Sequence, residues 1–82
     1  MTYRVHIRVL PRAEFLDPQG QAVEHALAVL GFEGAGSVRV GRAIELAIDA
    51  ASPEAAEAAA RRMCERLLAN PVTEDFSLAV EG

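Results

Sequence analysis

Tyr3-Arg4-Val5-His6-Ile7-Arg8-Val9 alternates apolar and basic residues without a break. A period of two sends successive side chains to opposite sides of an extended chain. Tyr3, Val5, Ile7 and Val9 therefore share one face, and Arg4, His6 and Arg8 the other. The stretch predicts a half-buried strand, whose apolar side needs other elements to cover it.

Working outward, Leu10 to Leu16 contains Pro11 and polar residues and reads as a loop. It ends where Asp17 is placed to cap a helix with Pro18 at its first position. That helix is predicted to run to Leu30, with Ala22, Val23, Ala26, Leu27 and Leu30 as its core stripe and Gly31 as its stop. Gly31 to Ser37 reads as loop, followed by a short strand at Ser37–Val40. A longer strand at Ala43–Asp49 has Ile44, Leu46 and Ile48 on one face, and with Gly41-Arg42 between them the two read as a hairpin. Ser52, Pro53 and Glu54 signal a second helix through a cap, a preset first residue and a favourable charge at the dipole. Its predicted buried stripe is Ala56, Ala59, Ala60, Met63 and Leu67. Asn70-Pro71 ends it, because proline disfavours helical geometry in the residue before it. Alternation through Phe76, Leu78 and Val80 then gives a last strand at Glu74–Val80.

The order is strand, helix, strand, strand, helix, strand. It predicts an α+β fold of βαββαβ type: a four-stranded, mostly antiparallel sheet with two helices on one face, in a single domain spanning residues 1–82. The other face would carry Arg4, His6, Arg8, Arg39, Glu45, Ala43, Ala47, Ser77 and Ala79, a flat surface of both charge signs. With 51% hydrophobic residues but only three Phe, one Tyr and no Trp, the core is built from small aliphatic side chains. One cysteine, Cys64, excludes an internal disulfide, so self-association is the expected source of added stability.

All eight basic residues are Arg, and a formal charge of −4 argues against nucleic-acid binding. No exposed aromatics stand on the central strands to stack bases. No apolar run approaches the roughly 20 residues of a membrane span, and Met1-Thr2-Tyr3-Arg4-Val5-His6 lacks a signal-peptide stretch. The cytoplasm is the expected compartment.

The residues that carry chemistry elsewhere are poorly placed for it here. Cys64 sits beside a helix stripe and reads as a buried, inert thiol. His6, His25 and Cys64 lack metal-ligand spacing. Glu54, Glu57 and Glu65 alternate with Arg61, Arg62 and Arg66 as a solvated helix face. Gly34-Ala35-Gly36-Ser37 lacks the third glycine and the following helix of a dinucleotide site. Gly20, in the first turn of a helix, is locally unfavourable and marks the close approach of another backbone.

Three segments resemble the PurS family. They are Leu16-Asp17-Pro18-Gln19-Gly20 with Ala22-Val23 and Ala26-Leu27, then Val38-Arg39-Val40-Gly41-Arg42, then Met63 through Val72 with Glu74-Asp75-Phe76. The chain departs from the family in having Arg42 where lysine is usual, which keeps the charge, and in the loop from Pro11 to Phe15. The resemblance implies a non-catalytic subunit of phosphoribosylformylglycinamidine (FGAM) synthase, a ligase of purine biosynthesis. Such a subunit dimerises, or forms a dimer of dimers, and bridges a glutaminase subunit and an ATP-dependent synthetase subunit. It also implies that this chain binds no cofactor, while ATP, Mg and glutamine are used by the complex. Partner contacts are expected at Asp17, Gln19 and Gly20, at Arg39, Gly41 and Arg42, and at Asn70 and Pro71.

Two other readings compete. Acylphosphatases share the order of elements, but Leu10-Pro11-Arg12-Ala13-Glu14 lacks their glycine-rich phosphate cradle. A dimeric domain that senses a small molecule would share the topology too.

Overall fold

A computed structural model describes residues 1–15 and 17–81. Leu16, which closes the predicted first loop and opens the first quoted segment, lies outside the described residues, as does Gly82. The alternating stretch forms β1 (Thr2–Pro11), the central strand. β2 (Arg42–Asp49) pairs with it on one side and β3 (Glu74–Glu81) on the other, both antiparallel. Register brings apolar residues together: Val5 lies between Leu46 and Val80, and Ile7 between Ile44 and Leu78. Val5, Ile7 and Val9 are fully buried. Each such side chain contributes about 1.5–3 kcal/mol of burial.

α2 (Pro53–Met63) begins as its sequence dictates, with the Ser52 hydroxyl accepting from the Ala55 amide at 3.1 Å and Pro53 at the first turn. It packs across all three strands. The residues it buries are Ala56, Ala60 and Cys64, a strict i, i+4 row. The predicted stripe is corrected there: Met63 is 40% and Leu67 81% exposed. A row of small residues lets the helix lie close to the bulky strand side chains. Beyond Met63 the chain widens into a π turn over Cys64–Leu68, where the Ala69 amide donates to the Cys64 carbonyl at 3.0 Å. That wider turn shifts the helical phase and leaves Leu67 outside.

The predicted four-stranded sheet is corrected to three strands, because Ser37–Val40 forms none and there is no hairpin. Ser37 has φ +55, a left-handed conformation that a strand does not accept. The backbone amides that a neighbouring strand would have received are used by side chains instead. Val38 donates to Glu24 Oε1 at 3.3 Å and Val40 to Asp17 Oδ2 at 2.9 Å.

α1 (Pro18–Val29) ends in a Schellman motif: Phe32 donates to the Leu27 carbonyl and Gly31, at φ +96, to that of Ala28. Its sides are another matter. Only Gly20 is buried, while Val23, Val29, Leu30 and Phe32 are exposed. The expectation of two helices on one sheet face is therefore corrected: α2 lies there, and α1 makes no substantial contact with another element. The chain measures 50 × 24 × 14 Å with a radius of gyration of 16.0 Å. A compact chain of this length would have about 12 Å.

A candidate partner-contact site at one end of the sheet

The residues expected to meet partners lie in three separate loops, and side-chain to backbone hydrogen bonds bring most of them together. Asp17 precedes α1 but makes no side-chain cap to it. Its Oδ2 receives the Val40 amide instead, fastening the 37–41 segment to the helix start. That amide, the largest cause, holds the Asp17 carboxyl below its ordinary value, although burial opposes it.

Gly20 is buried where Val38 passes, and a Cβ there would strike the Val38 carbonyl. Gly41 is equally constrained, because its Cβ would strike the Val9 carbonyl. The backbone whose approach Gly20 marks thus belongs to its own chain. Among the described glycines, Gly31, Gly34 and Gly36 have nothing within reach of a Cβ.

Arg42, the first residue of β2, forms a two-pronged pair with Glu74, the first of β3. Nη1 lies 2.8 Å from Oε2 and Nη2 3.0 Å from Oε1, and Nη2 also donates to the Leu68 carbonyl. Glu74 Oε1 accepts the Asn70 amide at 2.7 Å, and Asn70 Oδ1 the Val72 amide at 2.9 Å. The clamp ties the exit of α2 to both outer strands. Arg42 and then the Asn70 amide hold the Glu74 carboxyl below its ordinary value, and Glu74 raises that of Arg42. Arg12 completes this end: Nη2 donates to the Pro71 carbonyl at 2.9 Å, and Nε forms an ion pair with Asp75 Oδ1 at 3.1 Å.

Asp17, Gln19, Gly41 and Arg42 line one open hollow of about 360 Å3 together with Glu74. Asn70 and Pro71 do not line it; Asn70 is tied to Glu74, which does, and Pro71 to Arg12. Arg39 lies on the neighbouring side, its Nη1 donating to the Pro11 carbonyl at 3.2 Å. Sequence reasoning singled out neither Glu74 nor Arg12. Glu74 stands within a quoted motif, whereas Arg12 lies in the loop that departs from the family. A carboxylate and an arginine flanking two proline-marked turns were the available signal.

Cys64 is fully buried, and desolvation pushes its thiol up, so little thiolate forms at neutral pH. Among the described residues no three His, Cys, Asp or Glu side chains group as metal ligands. Among the described residues no helix is long and apolar enough to cross a membrane.

A three-stranded sheet with one covering helix, and an end built from clamped loops, defines a small α+β domain. The family model "PurS: Phosphoribosylformylglycinamidine (FGAM) synthase" matches residues 4–82. The Mycobacterium leprae synthase subunit PurS is 44% identical over 79 residues, 96% of each chain. The Bacillus subtilis subunit is 39% identical over 79 residues, 96% of this chain and 93% of that one. Among solved structures, Bacillus subtilis PurS superposes with a TM-score of 0.85 at 40% identity, covering 98% of this chain and 99% of that one. A chain of the Thermotoga maritima PurLQS structure superposes at 0.88 with 29% identity and 98% coverage of each. The chain belongs to the PurS family, the small non-catalytic subunits of FGAM synthase. The small-molecule-sensing alternative gains no support from these matches.

Proposed function

We propose that this chain bridges the glutaminase and the ATP-dependent synthetase subunits of FGAM synthase, in the cytoplasm. There it supports transfer of ammonia from glutamine to the formylglycinamide ribonucleotide acceptor. The observation that carries the reading is the end-to-end likeness to a chain of the PurLQS assembly. At neutral pH free ammonia is mostly protonated and not nucleophilic, so holding two active sites in register raises its effective concentration at the acceptor. ATP, Mg and glutamine serve the larger subunits, and this chain binds none of them.

Asp17, Gln19, Gly20, Arg39, Gly41, Arg42, Asn70 and Pro71 form the partner-contact end, with Glu74 and Arg12 fixing its shape. The chain acts as a homodimer. Support comes from α1, where Val23, Val29 and the following Leu30 are exposed, and from a sheet face over which only one helix lies, leaving Ile44 and Leu46 only partly buried. In the dimer a second copy's α1 would cover that space. Sedimentation of the three purified chains tests the bridging: the two large subunits should co-sediment only when this chain is added. Co-sedimentation without it would overturn the reading.

A further inference from the structure

The open face of the sheet is polarised along β1. At one end Arg4 stands opposite Glu81, and Glu45 and Asp49 lie close by on β2. His6 Nδ1 meets Glu45 Oε1 and Nε2 meets Glu81 Oε2, each at 2.9 Å, so the basic residues of this end have carboxylates beside them within the chain. At the other end Arg8 faces Ala43 and Ser77, which offer no countercharge. Arg39 reaches the same corner from the 37–41 segment, anchored through the Pro11 carbonyl. Among the described residues neither Arg8 nor Arg39 has a carboxylate oxygen within 4.0 Å.

Both arginines line a hollow of about 220 Å3 together with Leu10, Asp75, Phe76 and Ser77, of which Ser77 faces Arg8 across the strands. Asp75 is the one acid in it, and Arg12 already pairs with that carboxylate. Two guanidinium groups beside a serine, on a chain of net charge −4, make a local site for an oxyanion.

We propose that this corner receives a carboxylate side chain, Asp or Glu, from one of the two large synthase subunits. The inference rests on the bridging reading and gives the contact its chemistry. The hollow is too open to enclose a metabolite, and Arg39 also lines the cleft beside Asp17, so the corner is continuous with the partner-contact end. Arg8, which the sequence places on the outer sheet face of both charge signs, thereby joins that surface. Paired charges of this kind speed encounter and fix register between partners.

The test is the affinity of the full chain for each large subunit, measured across a range of salt. It compares wild type, Arg8→Glu with Arg39→Glu, and Arg8→Gln with Arg39→Gln, with circular dichroism to verify folding. The double reversal should weaken binding to one partner by at least about tenfold, with a flatter salt dependence, and the glutamine pair should fall between. Wild-type affinity for both partners in the reversed chain would overturn the inference and leave the bridging reading standing. Failure of the wild-type chain to bind either subunit would remove the reading and the inference together. A third outcome also overturns it: unchanged partner affinity, with inorganic phosphate at millimolar concentration shifting the Arg8 and Arg39 side-chain NMR signals, would make the corner a small-anion site.

Discussion

The two helices start alike and end up in opposite situations. Each has proline at its first position and an alanine-rich apolar stripe, and on the sequence the stripe of α1 is the bulkier, with Val23, Leu27 and Leu30. Yet α2 buries Ala56, Ala60 and Cys64 against the sheet, while α1 buries only Gly20. Amphipathic spacing states that a face will be covered; it does not state by which chain. Long apolar side chains left uncovered in one chain are as good a sign of an interface as small ones are of a tight intrachain seam.

The sharpest way to break this contrast is to truncate one residue on each side of it. Ile7→Ala, under α2, should cost about 2–5 kcal/mol, read as a lowered urea midpoint at any protein concentration. Leu30→Asp, on the α1 stripe, should leave the unfolding free energy of the dissociated chain within about 0.5 kcal/mol. It should also abolish the concentration dependence of the melting temperature that a dimer shows. Equal and concentration-independent losses from both would mean that α1 is packed within its own chain.

Glycine substitutions come next. Gly41→Ala places a Cβ against the Val9 carbonyl and should destabilise by about 1–3 kcal/mol, because backbone cannot yield as a side-chain tip does. Gly36→Ala meets nothing within 4 Å and should be neutral to within about 0.5 kcal/mol. Thermal melts of the two variants distinguish a structural requirement at Gly41 from generic intolerance.

The smallest effect is at the Arg42–Glu74 clamp. Both side chains are partly exposed, so Glu74→Gln should cost no more than about 1 kcal/mol at neutral pH. The sign with pH is fixed by the direction of the shift. Glu74 titrates lower in the folded chain than its ordinary value of 4.5, so its stabilisation is fully present above that value. It is lost as pH falls through the folded value. Urea midpoints of wild type and variant should therefore converge in acid, and a difference that persists well below that range would contradict the clamp.

Much of this was legible from the residues. Strict alternation gave β1, β2 and β3 nearly to the residue, and Ser52-Pro53-Glu54 and Gly31 marked helix ends that the structure keeps. Ser37–Val40 misled because Val38-Arg39-Val40 alternates like a strand, while the groups that claim its amides, Asp17 and Glu24, lie far back in the chain. Met63 misled because the buried row runs through Ala56, Ala60 and Cys64 beside it, and Leu67 because a π turn changes the phase that periodicity assumes constant. The residues expected to meet partners lie in three separated segments, and a sequence does not show that Asp17 reaches Val40 or that Arg42 reaches Glu74. Arg8 was one charge among several on the outer sheet face, and only the register shows that its cross-strand neighbours are Ala43 and Ser77.

The most direct test of the account is synthase activity of the two large subunits, reconstituted with and without this chain, with glutamine or ammonium chloride as nitrogen source. The account predicts that omission abolishes the glutamine-driven reaction and spares the ammonium-driven one. Glutamine-driven activity that is unchanged by omission would contradict it.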